Sequence, residues 1–474
     1  MAEHPIDLQH NHFVAIASIA VFLRKNASGY RVPKIHKQTI FLIALFSAMI
    51  FSGCAGMNTA FYKTVETNLV AGNYTQAAAQ LAKNQSEFGT KSSVLYNLEL
   101  GLLDHYAGQY DESNQHFFAA EKEMQLLYTK SISQAAVSLL TNDNELPYEG
   151  EDFEKVFVNL FLALNYVGMG NLEDALVEAR KVDVKLSEYS RRYQGKNVYQ
   201  KDAFVRYLMG AIYEAEGELN DAYISYVKAY EGYQLYEKQY GTKMPESLAD
   251  DILRTAYQLD FEDDLEHYEQ LFGKTYQPKS LSEGSLFILI YSGQGPIKEE
   301  VKISPTIFDR DGMSHTFAMA VPKFKSRELG TRVYQVGLAS ADGLKRTTAE
   351  VGQDVTAIAK KNLQNRLDLI YLKAGGRAVL KFLAVEAAKK KAKKQTSALG
   401  GALFGALLDV GYSASEAADV RTWRTLPHQI QVARFRSTPG TYQLIVKNGT
   451  RVVGQTTTEI KPNTITFKVF PDVN

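Results

Sequence analysis

From Cys54 to about Thr275 apolar residues recur at helical spacing, and small and aromatic residues return in register. The clearest unit runs Tyr207-Leu-Met-Gly210-Ala211-Ile-Tyr213, then Gly217, Leu219, Ala222, Tyr226 and Ala229. Gly210 and Ala222 are small where two helices would cross closely, Gly217 permits the turn between them, and Tyr213 and Tyr226 fill the space between neighbouring hairpins. Three further segments keep parts of this pattern: Leu162, Ala163, Tyr166, Gly170, Leu172, Ala175 and Ala179; then Leu100, Gly101, Gly108, Tyr110, Phe117 and Ala120, with Ser113 where alanine is expected; then Val65, Gly72, Tyr74, Ala77 and Leu81. The turn glycines Gly72, Gly108, Gly170 and Gly217 are spaced 36, 62 and 47 residues apart. That spacing predicts an array of helical hairpins with insertions, notably around Ser131 to Glu151, and Leu253 to Phe272 supplies a closing helix.

Around Lys274 to Gly284 the texture changes, with Pro278 and a Ser/Gly cluster, and the period switches towards two. Strands are expected at Ser285–Tyr291, Glu299–Ile303, His315–Val321, Arg332–Leu338, Arg451–Thr457 and Thr464–Val469. Tyr442, Leu444 and Val446 alternate with Gln443 and Lys447, and Asn448-Gly449 predicts a two-residue type I′ turn. A helical insert splits these strands from about Thr356 to Tyr412. Within it Ile358, Leu363, Leu367 and Ile370 share one face, Gly375-Gly376 interrupts the helix, and a second helix runs Ala378 to Lys394. The chain thus reads as α+β and multidomain: an upstream extension and leader over 1–53, helical repeats over 54–275, and over 276–474 an antiparallel β-sandwich of seven or eight strands carrying the insert at 356–412.

The unit at Tyr207–Ala229 resembles a tetratricopeptide repeat, whose Leu-Gly and Tyr stand on a first helix, Gly at the turn, and Ala, an aromatic and Ala on the second. That resemblance covers about 220 residues and implies a curved surface that binds protein, with no cofactor. By register with Gly101 and Gly210, His105, Tyr106, Tyr207 and Glu214 fall on first helices facing the groove, which makes them candidates to touch a partner peptide.

Upstream, Lys34, His36 and Lys37 precede the apolar run Ile40–Ile50 and the small pair Ser52-Gly53 before Cys54, the organisation of an export signal. The run is shorter than the roughly 20 apolar residues of a membrane-spanning helix. Phe51-Ser52-Gly53-Cys54 resembles the lipobox of bacterial lipoproteins, with Phe51 an unusual first residue. The resemblance implies lipid attachment at Cys54, a two-signal anchor, and, with Ala55 rather than Asp next, delivery to the outer membrane of a Gram-negative bacterium, facing the periplasm. Met1–Arg31 does not fit such a signal; either the leader is extended or translation starts near Val32. With the repeats and Trp423-Arg-Thr-Leu-Pro427, the whole chain is similar to a family of uncharacterised proteobacterial envelope lipoproteins.

Composition agrees. Cys54 is the one cysteine in 474 residues, so no disulfide framework is available. Lys plus Arg (53) equals Asp plus Glu (53), which leaves no basic surplus to steer nucleic acid. There is no Gly-x-Ser-x-Gly elbow, phosphate loop or His-Glu-x-x-His; Ser225-x-x-Lys228 lacks its companion motifs. No metal-ligand spacing joins His105, His116, His267, His315 and His428, and Asp309-Arg-Asp311-Gly312 lacks the glutamate that closes a calcium loop, so it reads as a hairpin turn. The Lys389–Lys394 run meets anionic lipid or peptidoglycan, or is a solvated face beside the glycine-spaced apolar run Ala398–Leu408. Trp423, between Arg421 and Arg424, is an interface anchor or a packed ring. The expected function is non-enzymatic: a periplasmic protein-protein scaffold or adaptor, in cell-envelope or peptidoglycan synthesis, or an oligomeric structural subunit of an envelope-spanning surface or secretion complex.

Overall fold

Five helical hairpins open the described chain, each turned by the same backbone device. The computed structural model describes residues 60–138, 143–195, 199–278, 283–308, 314–328, 330–341, 343–395 and 417–474; the leader, Cys54, the 309–313 turn and the 398–408 run lie outside them. Helices α1 (Tyr62–Val70) and α2 (Tyr74–Lys83) form the first hairpin, and a single-turn α3 (Gln85–Phe88) leads on. The others pair α4 (Ser93–Tyr106) with α5 (Tyr110–Ser138), α6 (Asp152–Met169) with α7 (Leu172–Arg192), α8 (Ala203–Ala215) with α9 (Leu219–Tyr240), and α10 (Glu246–Gln258) with α11 (Glu262–Phe272). At the turns Gly72, Gly108, Gly170, Gly217 and Asp260 take left-handed φ angles of 75°, 73°, 77°, 81° and 55°. The following residue then donates its N–H to a carbonyl five residues back, as Asn73 to Asn68, Gln109 to Asp104, Asn171 to Tyr166, Glu218 to Tyr213 and Phe261 to Ala256, at 2.8–3.0 Å. The last carbonyls of each first helix are thereby satisfied. The fifth turn has no glycine to reveal it, because aspartate tolerates this conformation better than most residues. The single closing helix expected over Leu253–Phe272 is therefore a hairpin.

Five residues beyond the first four turns, Ala77, Ser113, Ala175 and Ala222 are fully buried between paired helices. Closest approach falls at Gly210, where a Cβ would stand 2.3 Å from the Tyr226 ring.

Two four-stranded sheets follow. The first has the order β12 (Ile465–Asp472), β1 (Gly284–Gln294), β9 (Pro427–Ser437), β8 (Glu350–Asp354); the second is β11 (Arg451–Ile460), β10 (Gly440–Asn448), β6 (Tyr334–Ser340), β7 (Gly343–Thr348). They face each other over Leu286, Ile288 and Ile290 from β1, Ala433 and Phe435 from β9, and Val336, Leu338, Leu444 and Val446 opposite. Two short antiparallel pairs, β2 (Ile297–Ile303) with β5 (Met319–Lys325) and β3 (Thr306–Phe308) with β4 (Ser314–Thr316), complete the strands. The expected all-antiparallel arrangement fails at one place. β12 crosses from the second sheet to the first and runs parallel to β1, Ser285 opposite Ile465. The expected type I′ turn is also different: Asn448 pairs with Arg451, so Gly449-Thr450 are central, and only Gly449 has positive φ (59°), as a Gly-first type II′ turn requires.

The described part of the insert is one helix, α12 (Val355–Gln395), running through Gly375-Gly376 without the expected break. Ala374 and Ala378 beside the glycines pack on Phe317, Met319 and Val321, and that contact offsets the roughly 1 kcal/mol each glycine costs a helix. Among the described residues no helix is long and apolar enough to cross a membrane. Replacing Gly210 by Val, which drives methyls into Tyr226, is expected to lower the urea-unfolding free energy by about 3 kcal/mol, against about 1 kcal/mol for Gly72→Ala in open space at positive φ.

Candidate functional site: the seam between array and sheet

The apolar side chains of β1 alternate between two cores. Leu286, Ile288 and Ile290 face the second sheet, whereas Phe287, Leu289 and Tyr291 face the helices, where Ile430 and Val432 of β9 join them. The first sheet therefore packs on the helical array, with β12 against α6 and α8 and β8 against α8. Tyrosine hydroxyls cross the seam: Tyr74 donates to the Pro471 carbonyl (3.1 Å), Tyr106 to Thr425 (2.9 Å) and Tyr233 to Gly352 (2.9 Å). A ring buries in this setting while its hydroxyl finds an acceptor. Gly352 sits at a β-bulge where a Cβ would come within 2.9 Å of Phe204.

The segment leading into β9, Ala418–Leu426, lies on that array as a strap. Glu154 accepts from the Trp423 N–H (2.9 Å), while Glu99 accepts from the N–H groups of Arg424 (2.8 Å) and Thr425 (3.0 Å). Both carboxyls are fully buried, which pushes their pKa values up. The Trp423 ring packs edge-on to Phe117 and Phe161, with centroids 5.7 Å from each, and its indole N–H donates to Thr425 Oγ1 (3.1 Å). Arg421 binds the Asp419 carboxylate and donates to the carbonyls of Lys91, Asp143 and Leu146 at 2.9–3.1 Å. Arg424 lies over the Tyr62 ring and pairs with Glu66 (2.7 Å). Recognition of an irregular backbone by paired carboxylates and an aromatic pocket is the chemistry of a bound peptide, supplied here by the chain itself.

Further along the array, Glu214 receives Tyr226 (2.7 Å), Arg254 (2.6 Å) and Arg434 of β9 (3.2 Å), and Asp251 receives Tyr207, Arg254 and Arg434 at 3.0–3.1 Å. Burial alone would raise the Glu214 pKa, but Arg254 and Arg434 outweigh it and hold it at about 2. His105 is likewise internal. Its Nδ1 lies 2.5 Å from Asn165 Oδ1, an acceptor only, so Nδ1 carries the proton and Nε2 accepts from the Tyr291 hydroxyl (2.7 Å). Burial holds this imidazole neutral, with a pKa near 4. Asn165 continues the chain to Ser113, which donates to the Gly101 carbonyl (2.6 Å); a hydroxyl is needed there, which accounts for serine where alanine was expected.

The four groove candidates do lie on the inner helices, but none is open to a partner. His105 is 3%, Tyr106 5% and Tyr207 0% exposed, and the Glu214 side chain is 13% exposed. His105 meets Tyr291 of the sheet, Tyr106 the strap at Thr425, Tyr207 Ser247 and Asp251 of α10, and Glu214 both Arg254 of α10 and Arg434 of the sheet, so in this structure the four side chains join the chain's own elements. Glu99, Glu154 and Asp251 do the same work and were missed; Glu99 alone carried a signal, an acidic residue between Leu98 and Leu100 in the apolar middle of its helix. Trp423 is a packed ring. Cys54 lies outside the described residues, and no cluster of His, Cys, Asp and Glu able to hold a metal ion occurs among the described ones.

No protein-family model matches the chain, and no curated protein matches it. Among solved structures, the Rap conjugation gene regulator of the plasmid pLS20 in complex with the Phr* peptide is similar over 55% of this chain and 68% of that one, at 14% identity and a TM-score of 0.28. The chain is a mixed helix and sheet protein with an N-terminal helical array.

Truncating Trp423 to Ala is expected to cost about 3–5 kcal/mol in urea unfolding, as for a large buried aromatic. Because the Glu214 pKa is depressed in the folded state, the stability it contributes is complete above its ordinary value near 4.5 and is lost as pH falls towards 2. Between pH 5 and 2, Glu214→Gln should therefore lose less stability than the parent, by on the order of 3 kcal/mol.

Proposed function

We propose that this chain is a non-enzymatic, lipid-anchored protein of the outer membrane, facing the periplasm, in which tetratricopeptide-like hairpins and a β-sandwich make one rigid body for contacts with other envelope proteins. The observation that supports it best is the closed seam. A face of the array already occupied by Trp423, Tyr291 and Arg434 is devoted to internal cohesion, so partner contacts fall to the outer faces. Among these, Val184 on α7 (65% exposed) and Phe118 on α5 (39%) are apolar and open. The same closure favours a structural subunit of an envelope-spanning complex over a groove adaptor, since an adaptor of that kind needs its inner wall free. A role in cell-envelope or peptidoglycan synthesis remains compatible with either.

Three measurements test this reading. Cys54→Ala should abolish fatty-acid labelling and release the protein from the membrane fraction. A photo-crosslinker at Val184 or Phe118 should capture another envelope protein in cells, whereas one at Tyr106 should link only within the chain. Light scattering on the purified protein should give a ring-sized oligomer for the subunit; a monomer with capture at Tyr106 would restore the groove adaptor.

A further inference from the structure

Beyond the strap's seat, a cavity of about 780 Å³ opens between α10, the segment Lys274–Pro278, and strands β7 and β9. Arg254, Arg434 and Arg436 all line it. The Arg254 and Arg434 side chains are each only 4% exposed. Their ion pairs with Glu214 and Asp251 use some of their nitrogens, yet Arg254 Nε and both Nε and Nη1 of Arg434 have no hydrogen-bond partner. A guanidinium stays protonated and carries five N–H groups in a fixed fork. Buried donors of this kind are desolvated without return unless something accepts from them.

The mouth of the cavity adds charge of the same sign. Lys345 and Arg346 on β7 are exposed there, and Lys345 Nζ reaches only neutral acceptors, the Arg436 carbonyl (3.2 Å) and Ser437 Oγ (2.9 Å). Lys274 is paired with Asp250. Six cations line the cavity, against Asp250, Asp251 and Glu283 in its wall and Glu214 behind it. Arg436 stands 3.6 Å from both Glu214 and Glu283, and burial, then the Arg254 guanidinium beside it, lowers its pKa. One wall is aromatic: the Tyr257 and Tyr276 rings stand 5.2 Å apart, with Tyr257 42% exposed.

We propose that this cavity is a binding site for a small organic oxyanion, a phosphate or carboxylate group taken by Arg434, Arg254 and Arg436, with the body of the ligand against Tyr257 and Tyr276. Lys345 and Arg346 raise the local concentration of anions at the entrance and complete the charge balance.

The test is calorimetric titration of the purified full chain, in detergent, with pyrophosphate and separately with citrate, at low and at moderate salt. Saturable binding of one anion per chain is expected with at least one of the two, and the tighter one assigns the class. A Lys345→Gln/Arg346→Gln double variant, altered only at exposed positions, should bind at least about tenfold more weakly. A charge-matched control, Lys63→Gln/Lys83→Gln on the exposed surface of α1 and α2, should bind as the parent does. Absence of binding by either anion up to about 10 mM, weaker than any specific charge-assisted site, overturns the proposal and leaves the arginines to water. Equal loss in the control does so too, because it makes the attraction a general surface effect.

Discussion

Burial of the first sheet on both faces is the constraint from which the rest of the architecture follows. A sheet that is dry on one side can leave the other to water, but β1 and β9 have no wet side. Their odd and even positions feed two cores, one shared with the second sheet and one with the helices. The polar residues at the ends of these strands then need partners inside the protein, and the array supplies them through Glu99, Glu154, Glu214 and Asp251. Buried ion pairs of this sort add little net stability compared with apolar packing. Their value is positional, because Arg434 satisfies Glu214 and Asp251 together in only one register of sheet against helices.

How much of this was legible from the amino-acid order depends on which interactions are local. Hairpin turns are local, and Gly72, Gly108, Gly170 and Gly217 announce them; Asp260 does the same work without the announcement. Strand β1 is legible because its run of apolar residues is unbroken. Strand β9 escaped notice for the opposite reason: Gln429 and Gln431 are polar and nevertheless buried, and the Arg434 side chain is only 4% exposed, so the alternation that marks a half-exposed strand is misleading there. For His105, Tyr106, Tyr207 and Glu214, helical register gives the first helix of each hairpin. Nothing in that register says whether those side chains are wet, because the residues that cover them come from as far as 319 positions away, as with Tyr106 and Thr425. The break expected at Gly375-Gly376 failed for a similar reason, since the packing of Ala374 and Ala378 on Phe317 is non-local.

The proposed envelope role and the proposed anion site draw on different parts of the seam. Where the strap lies, the Glu99 and Glu154 carboxylates are taken up by the chain's own backbone N–H groups, and Arg424 Nε is the strap nitrogen left without a partner. Past α8 the match is incomplete, and three donors on two arginines are left over. A functional reading of the molecule therefore turns on where its internal complementarity stops.

The sharing of one wall by two units also bears on how such a chain can be taken apart. A fragment ending near Thr275 would keep its hairpin turns but present Phe161, Tyr207 and a row of carboxylates to solvent. A fragment beginning there would bare the aromatic side of β1. Neither is a portable module, and any recombination that exchanges repeats must carry along, or invent anew, the sheet that was shaped to them.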